Sequence, residues 1–175
     1  TLALIKLASD DPDQAAAQME GKWAAQLTAE ERNWVWAVIG KRATLRLHDG
    51  AAAHFAKVTR QADLDDDLLA WNTRAALRQG DWRMVRRAIE AMSDEARADP
   101  TWTYWLARAG LALARGDTDR VQARQLLERI AGVSGFYEKL ALEELGRPVT
   151  VPPAPEPLTP AERDWARQHP GFSRA

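Results

Sequence analysis

The sequence predicts an all-α protein, a right-handed solenoid or superhelix built from antiparallel helix hairpins. Three observations carry that expectation: a helix-favouring composition, regular punctuation by caps and glycines, and an internal repeat. Alanine supplies about a fifth of the 175 residues, leucine and arginine are plentiful, and β-branched residues are scattered. Such side chains lose little rotamer freedom in a helix. No segment sustains the period-two alternation of a half-buried strand.

Taken in order, the start and stop signals predict helices near 12–26, 29–48, 51–61, 66–79, 81–92, 100–115, 118–131, 135–145 and 160–168. Thr28 with Glu31 has the spacing of a capping box, in which hydroxyl and carboxylate each take a free backbone amide. Thr159, Pro160 and Glu162 repeat that design, with proline at the first helical position, where its missing N–H costs nothing. Asp99 before Pro100 is another start, and Ser134 is expected to cap the helix that runs to Gly146. Gly50, Gly80, Gly116 and Gly146 are read as stops, since glycine accepts the left-handed turn that closes a helix.

The repeat aligns Arg42-Ala43-Thr44-Leu45-Arg46 with Arg74-Ala75-Ala76-Leu77-Arg78 and Arg108-Ala109-Gly110-Leu111-Ala112, so that the first positions lie 32 and then 34 residues apart. Each copy is followed by a glycine and a second amphipathic helix, and Trp71 and Trp105 stand three residues ahead of the second and third copies. Two helices in about 34 residues is the tetratricopeptide-like spacing. Residues 1–146 are accordingly assigned to the helical repeat domain. Residues 147–175, with prolines at 148, 152, 153, 155, 157 and 160, are assigned to a stiff strap and a short final helix.

Composition excludes several functions. With 24 basic and 25 acidic side chains the net charge is -1, which lacks the excess of Lys and Arg that nucleic acid requires. The absence of cysteine removes disulfides, thiolate metal sites and a cysteine nucleophile together. No apolar run approaches the length of a membrane span. The Thr1–Ala8 segment lacks the basic flank and apolar length of a signal peptide, and a chain opening on Thr is expected to be a processed or excised piece of something longer.

No reaction centre is visible. His48, His54 and His169 form no i, i+4 pair that could grip a metal from one helix face, and they read as surface or boundary residues. The run Asp63, Asp65, Asp66, Asp67 fails as a calcium loop, because Leu68 stands where glycine must turn the chain and Arg74 where a bidentate Glu is needed. Its expected role is to complement the positive end of the following helix. No serine has a nucleophile-elbow setting, and Arg86 with Glu90 reads as a surface i, i+4 pair. No cofactor, metal or catalytic residue is expected.

The eight tryptophans are the unusual feature. Their large rings fill gaps between helices, which is the expectation for Trp71 and Trp105, but they also stack on sugar faces. Trp102, Tyr104 and Trp105 cannot all face the same way, because residues 102 and 104 are two apart on a helix. Trp82, Trp102 and Tyr104, with Arg83 and Arg87 of the basic helix that follows Trp82, are therefore the expected glycan or partner contacts.

Several strings resemble a known family. They are Trp71 with Arg74–Arg78 and Asp81-Trp82, Trp102-Thr-Tyr-Trp-Leu-Ala-Arg108-Ala109, and Phe136-Tyr137 leading through Leu140-Ala141 to Glu144-Leu145-Gly146. Over about residues 28–175 they are similar to the superhelical, tetratricopeptide-like N-terminal part of the soluble lytic murein transglycosylases. The tail 170–175 resembles the start of that family's linker domain. The resemblance implies a periplasmic enzyme that cleaves the MurNAc–GlcNAc bond of peptidoglycan to a 1,6-anhydro product. The family's catalytic Glu is followed by Ser in a lysozyme-like C-terminal domain, and that dipeptide occurs nowhere in this chain. The resemblance thus implies a non-catalytic scaffold whose partners are glycan strands, the parent's catalytic domain and other cell-wall proteins, with no nucleic acid and no membrane span. The alternative from another class is a free-standing tetratricopeptide-like adaptor that binds peptides; an RNA-binding helical repeat is disfavoured by the balanced charge.

Overall fold

The computed structural model describes residues 2–150, 154–169 and 171. Pro152, Pro153 and the tail 170–175 apart from Gly171 lie outside the described residues. Eleven α-helices and no strand occur among the described residues. They are α1 (Leu2–Asp10), α2 (Pro12–Gln18), α3 (Ala29–Leu45), α4 (Ala51–Phe55), α5 (Asp66–Gln79), α6 (Trp82–Glu90), α7 (Asp94–Ala98), α8 (Pro100–Leu113), α9 (Asp117–Ile130), α10 (Phe136–Glu144) and α11 (Pro160–Gln168). Helices α1 and α7 were not expected from the sequence, being short and lacking the long periodicity that reveals a helix. The expected helix 12–26 changes to a wider π-helical turn over Met19–Trp23, and 51–61 ends early at Phe55.

Both capping boxes form. Thr28 Oγ1 accepts from Glu31 N at 3.2 Å while the Glu31 carboxylate accepts from Thr28 N at 2.8 Å, and Thr159 and Glu162 do the same at 3.3 and 2.8 Å. Ser134 does not cap α10. Gly135 is the N-cap and offers no side-chain cap, while Glu138 reaches back to accept from its N–H at 2.7 Å.

Two of the four expected glycine stops hold. Gly80 and Gly146 are left-handed, both at φ +69°, and close α5 and α10 with the paired backward hydrogen bonds of a Schellman turn. Gly50 and Gly116 instead precede α4 and α9 as N-caps with negative φ. The left-handed residue that closes α3 is Leu47, at φ 57°, where His48 N donates to Ala43 O and Leu47 N to Thr44 O.

Packing is sequential. Helices α3 and α4, α5 and α6, and α8 and α9 form hairpins; α5 also packs on α3 and α4, α6 on α8, and α10 closes over α8 and α9. The repeated segments 42–46, 74–78 and 108–112 occupy the C-terminal parts of α3, α5 and α8. Arginines tie the first two copies each to an earlier helix. Arg46 donates to Ser9 O at 2.7 Å and Asp10 O at 2.8 Å at the end of α1, and Arg78 donates to Leu47 O at 3.3 Å at the end of α3. The third copy has Ala112 there, and the ladder stops. Close approach within a hairpin depends on Gly40, where a Cβ would lie 2.7 Å from the Phe55 ring.

The acidic run does more than complement a helix end. Asp65 caps α5 by accepting from Leu68 N, Asp67 pairs with Lys41 of α3, and Asp66 accepts from Ser93 before α7. Asp63 pairs with Arg60 and accepts from buried Asn33 at 2.7 Å, and these two partners hold its carboxyl below the usual range. At the other end, Asp13 of α2 lies 3.3 Å from His48 Nε2 and 3.8 Å from His54 Nε2. His54 is stacked on Trp36, and burial pushes its imidazole below its ordinary value against the opposing pull of Asp13.

The strap residues 154–159 have no regular secondary structure, and α11 has no buried residue.

Two outcomes follow. Left-handed geometry costs a non-glycine residue about 1–2 kcal/mol, partly offset by the greater unfolded-chain entropy of glycine. Leu47→Gly should therefore raise stability by roughly 0.5–1 kcal/mol in a denaturant melt. Because burial lowers the affinity of His54 for its proton in the fold, the unfolded chain takes up that proton more readily. Stability from this group is present above its ordinary pKa of about 6.5 and is lost as pH falls below it. Melts at pH 7.5 and 5 should show that loss, and His54→Gln should reduce the difference between them.

Candidate functional site

Among the described residues, the hairpin stack builds an aromatic seam and an open groove. The seam follows from the repeat. Trp71 on α5 and Trp102 on α8 lie on either side of Arg74, whose guanidinium carbon is 4.8 and 5.1 Å from their ring centroids. That is a cation–π sandwich linking one hairpin to the next. Trp82, at the start of α6, meets Trp105 of α8 with ring centroids 6.5 Å apart, and Trp105 meets Tyr104 at 5.3 Å and Tyr137 of α10 at 6.4 Å. Trp105 Nε1 donates to the Tyr137 hydroxyl at 3.4 Å.

Trp105 contacts both apolar clusters of the protein. The larger runs from α1 to α6 and into α8; the smaller contains Tyr104, Ala107, Leu127, Ala141 and Leu145. Trp71, Trp82 and Trp102 pack against the larger cluster and are half-buried. Arg74 covers part of Trp71 and Trp102, and Trp105 covers part of Trp82.

Tyr104 is a correction to the sequence reading: it is 3% exposed and is not a surface contact. Its hydroxyl accepts from Arg108 at 3.0 Å and lies 3.4 Å from the Glu144 carboxylate, with Arg108 and Glu144 paired across α8 and α10. Burial raises the phenol above its ordinary value despite Arg108. The ring exposed in this region is Phe136, at 69%, packed edge-on against Tyr137.

The groove lies between α6 and α9. Its floor is one face of α8, with Leu106, Gly110 and Leu113. Along α9 it is bounded by Asp119, Gln122, Ala123, Leu126, Arg129 and Ile130. That stripe spans about 17 Å at 1.5 Å per residue. Arg86 and Glu90 of α6 form the facing wall, paired at 2.7 Å as their i, i+4 spacing predicts. The groove holds three connected clefts. The widest, about 630 Å³, lies toward α7 and α10, with Asp94, Arg97, Arg129 and Glu138 at its edges. The middle one is about 220 Å³, and the third, about 410 Å³, lies at the α9 N-terminal end. Gly110 lets α8 and α9 approach, since a Cβ there would lie 3.2 Å from the Ala123 Cβ.

Of the expected contacts, Trp82 and Tyr104 each meet Trp105, while Trp102 packs against Arg74. Arg83 lines the 410 Å³ cleft, while Arg87 is exposed on α6 and lines none of these clefts. The groove itself escaped sequence reasoning. Its lining comes from five helices, and only the 119, 122, 123, 126, 129, 130 spacing on α9 was open to inspection as a stripe. Among the described residues no cluster of His, Asp and Glu is arranged to hold a metal. No helix among them is long and apolar enough to cross a membrane.

No protein-family model matches the chain. The soluble lytic murein transglycosylase of Salmonella typhimurium is 25% identical over 156 residues, which is 86% of this chain and 23% of that protein. The chain is related to the soluble lytic murein transglycosylases. An inactive mutant of lytic transglycosylase Slt from Pseudomonas aeruginosa has the same fold, with a TM-score of 0.71 and 24% identity over 99% of this chain and 28% of its own. The chain thus spans about a quarter of the length of either lytic transglycosylase.

Since Trp105 joins the two apolar clusters, Trp105→Ala should cost about 3 kcal/mol, the lower end of the range for a fully buried tryptophan because this one is half-buried. Chemical denaturation that follows the fluorescence of the remaining tryptophans measures the loss.

Proposed function

We propose that this chain is a non-catalytic helical scaffold of a peptidoglycan lytic transglycosylase. The parent enzyme would cleave the MurNAc–GlcNAc bond to a 1,6-anhydro product in the periplasm, and the scaffold would hold glycan strands and the catalytic domain. Kinship with the lytic transglycosylases along nearly the whole chain is the observation that carries this reading. The Glu-Ser dipeptide that the family resemblance places at the reaction centre does not occur in the 175 residues.

The groove supports the glycan half of the proposal better than the tryptophans do. A saccharide presents hydroxyls around its rim and C–H faces in between. Guanidiniums and carboxylates at the groove edge suit the former, and Leu106, Leu113 and Leu126 suit the latter. Trp82 and Trp102 then act through the seam by holding α6 and α8 at the separation that keeps the groove open.

Purified chain should be retained by isolated peptidoglycan sacculi in a pull-down and should clear no murein in a zymogram. Arg86→Ala with Arg129→Ala should cut retention several-fold without lowering the melting temperature. Passage through the sacculus fraction unretained, or a zone of clearing, would contradict the proposal.

A further inference from the structure

At the α9 N-terminal end of the groove, three guanidiniums share one cleft. Arg83 and Arg86 come from α6 and Arg115 from the α8–α9 connection, around about 410 Å³ floored by Ala112 and Leu113. Among the described residues one carboxylate lines it, Asp119, and that carboxylate already accepts from Arg115 N at 2.8 Å. Arg86 is paired with Glu90. Among the described residues, nothing accepts a hydrogen bond from the guanidinium of Arg83 or Arg115. Like charges gathered in one cleft repel, and here the protein supplies too few anions to offset them.

From this geometry we infer that the cleft binds the free α-carboxylate of a short peptide, with the terminal apolar side chain resting on Ala112 and Leu113. Planar, bidentate acceptance from arginine forks is the strongest feature of carboxylate recognition. The apolar floor gives a small side chain a surface that inorganic phosphate would leave uncovered. Asp119 and the nearby Glu90 also penalise a dianion more than a single carboxylate. A nucleic acid is disfavoured for the same reason, and by the net charge of -1. The inference rests on the arginines and floor of this cleft alone and does not depend on the murein reading.

The test is titration calorimetry of the full chain at low ionic strength with N-acetyl-alanyl-alanine, its C-terminal amide and inorganic phosphate. The free acid should bind, with the amide at least fivefold weaker and phosphate weaker than the acid. Arg83→Gln and Arg115→Gln, both exposed and without side-chain partners, should each weaken the acid five- to tenfold while leaving the thermal melt unchanged. Arg124→Gln, on the exposed face of α9 and lining none of the clefts, should bind as the parent does. Equal binding of acid and amide, tighter binding of phosphate, no heat with any probe, or indifference to both arginine substitutions would each overturn the assignment. Retention on sacculi is a separate readout, so a failure here leaves the scaffold proposal standing, and the reverse also holds.

Discussion

No hairpin in this chain can bury its own apolar faces, and that shortage governs the architecture. A pair of antiparallel helices shields one face of each and leaves the others open to water. The remedy is a neighbour: α5 sits on α3 and α4, α8 on α6, and α10 on α8 and α9. Burial is thereby shared between units, which makes the order of units in space the order of units in sequence. The repeated Ala43, Ala75 and Ala109 are all buried, as small residues must be where helix backbones close on one another.

Shared apolar burial is not directional, so polar groups set the geometry. Arg46 and Arg78 each reach to the carbonyls at the end of an earlier helix, where four acceptors lack intrahelical donors. Asn33 holds the α4–α5 connection by accepting from Thr59 N at 2.9 Å while it donates to Asp63. Each of these bonds crosses between units, so a slipped register would leave charged or buried groups unpaired.

The aromatic seam and the groove are two consequences of the same stacking. Rings carried by α5, α6, α8 and α10 pack on one another, on Arg74 and on the apolar clusters. Beside them, α6 and α9 diverge over α8 and leave space lined by side chains that no single helix could assemble. The conspicuous residues, the tryptophans, are mainly structural, and the inconspicuous ones, alternating arginine, carboxylate and leucine, line the open surface.

Much of the fold was legible from residues alone. Capping boxes at Thr28 and Thr159, the proline starts, the left-handed Gly80 and Gly146, and the repeat at 42, 74 and 108 are local rules, and local rules act within a few residues of themselves. Where such a rule had competitors it misled. Helix α10 starts one residue later than Ser134 would place it, with Gly135 as N-cap and Glu138 bound back to the Gly135 amide, and Gly50 and Gly116 shifted from stops to starts because Leu47 and the extended turn at Ala114 had already ended the preceding helices. Nothing local distinguishes Tyr104 from Trp102, and burial of Tyr104 was decided by α10 arriving with Glu144 and Tyr137. The sequence by itself determined which segments are helices and that they come in pairs, since capping and periodicity are short-range. Only the tertiary structure decided which faces remain open, because exposure depends on neighbours tens of residues away whose approach no short-range pattern records.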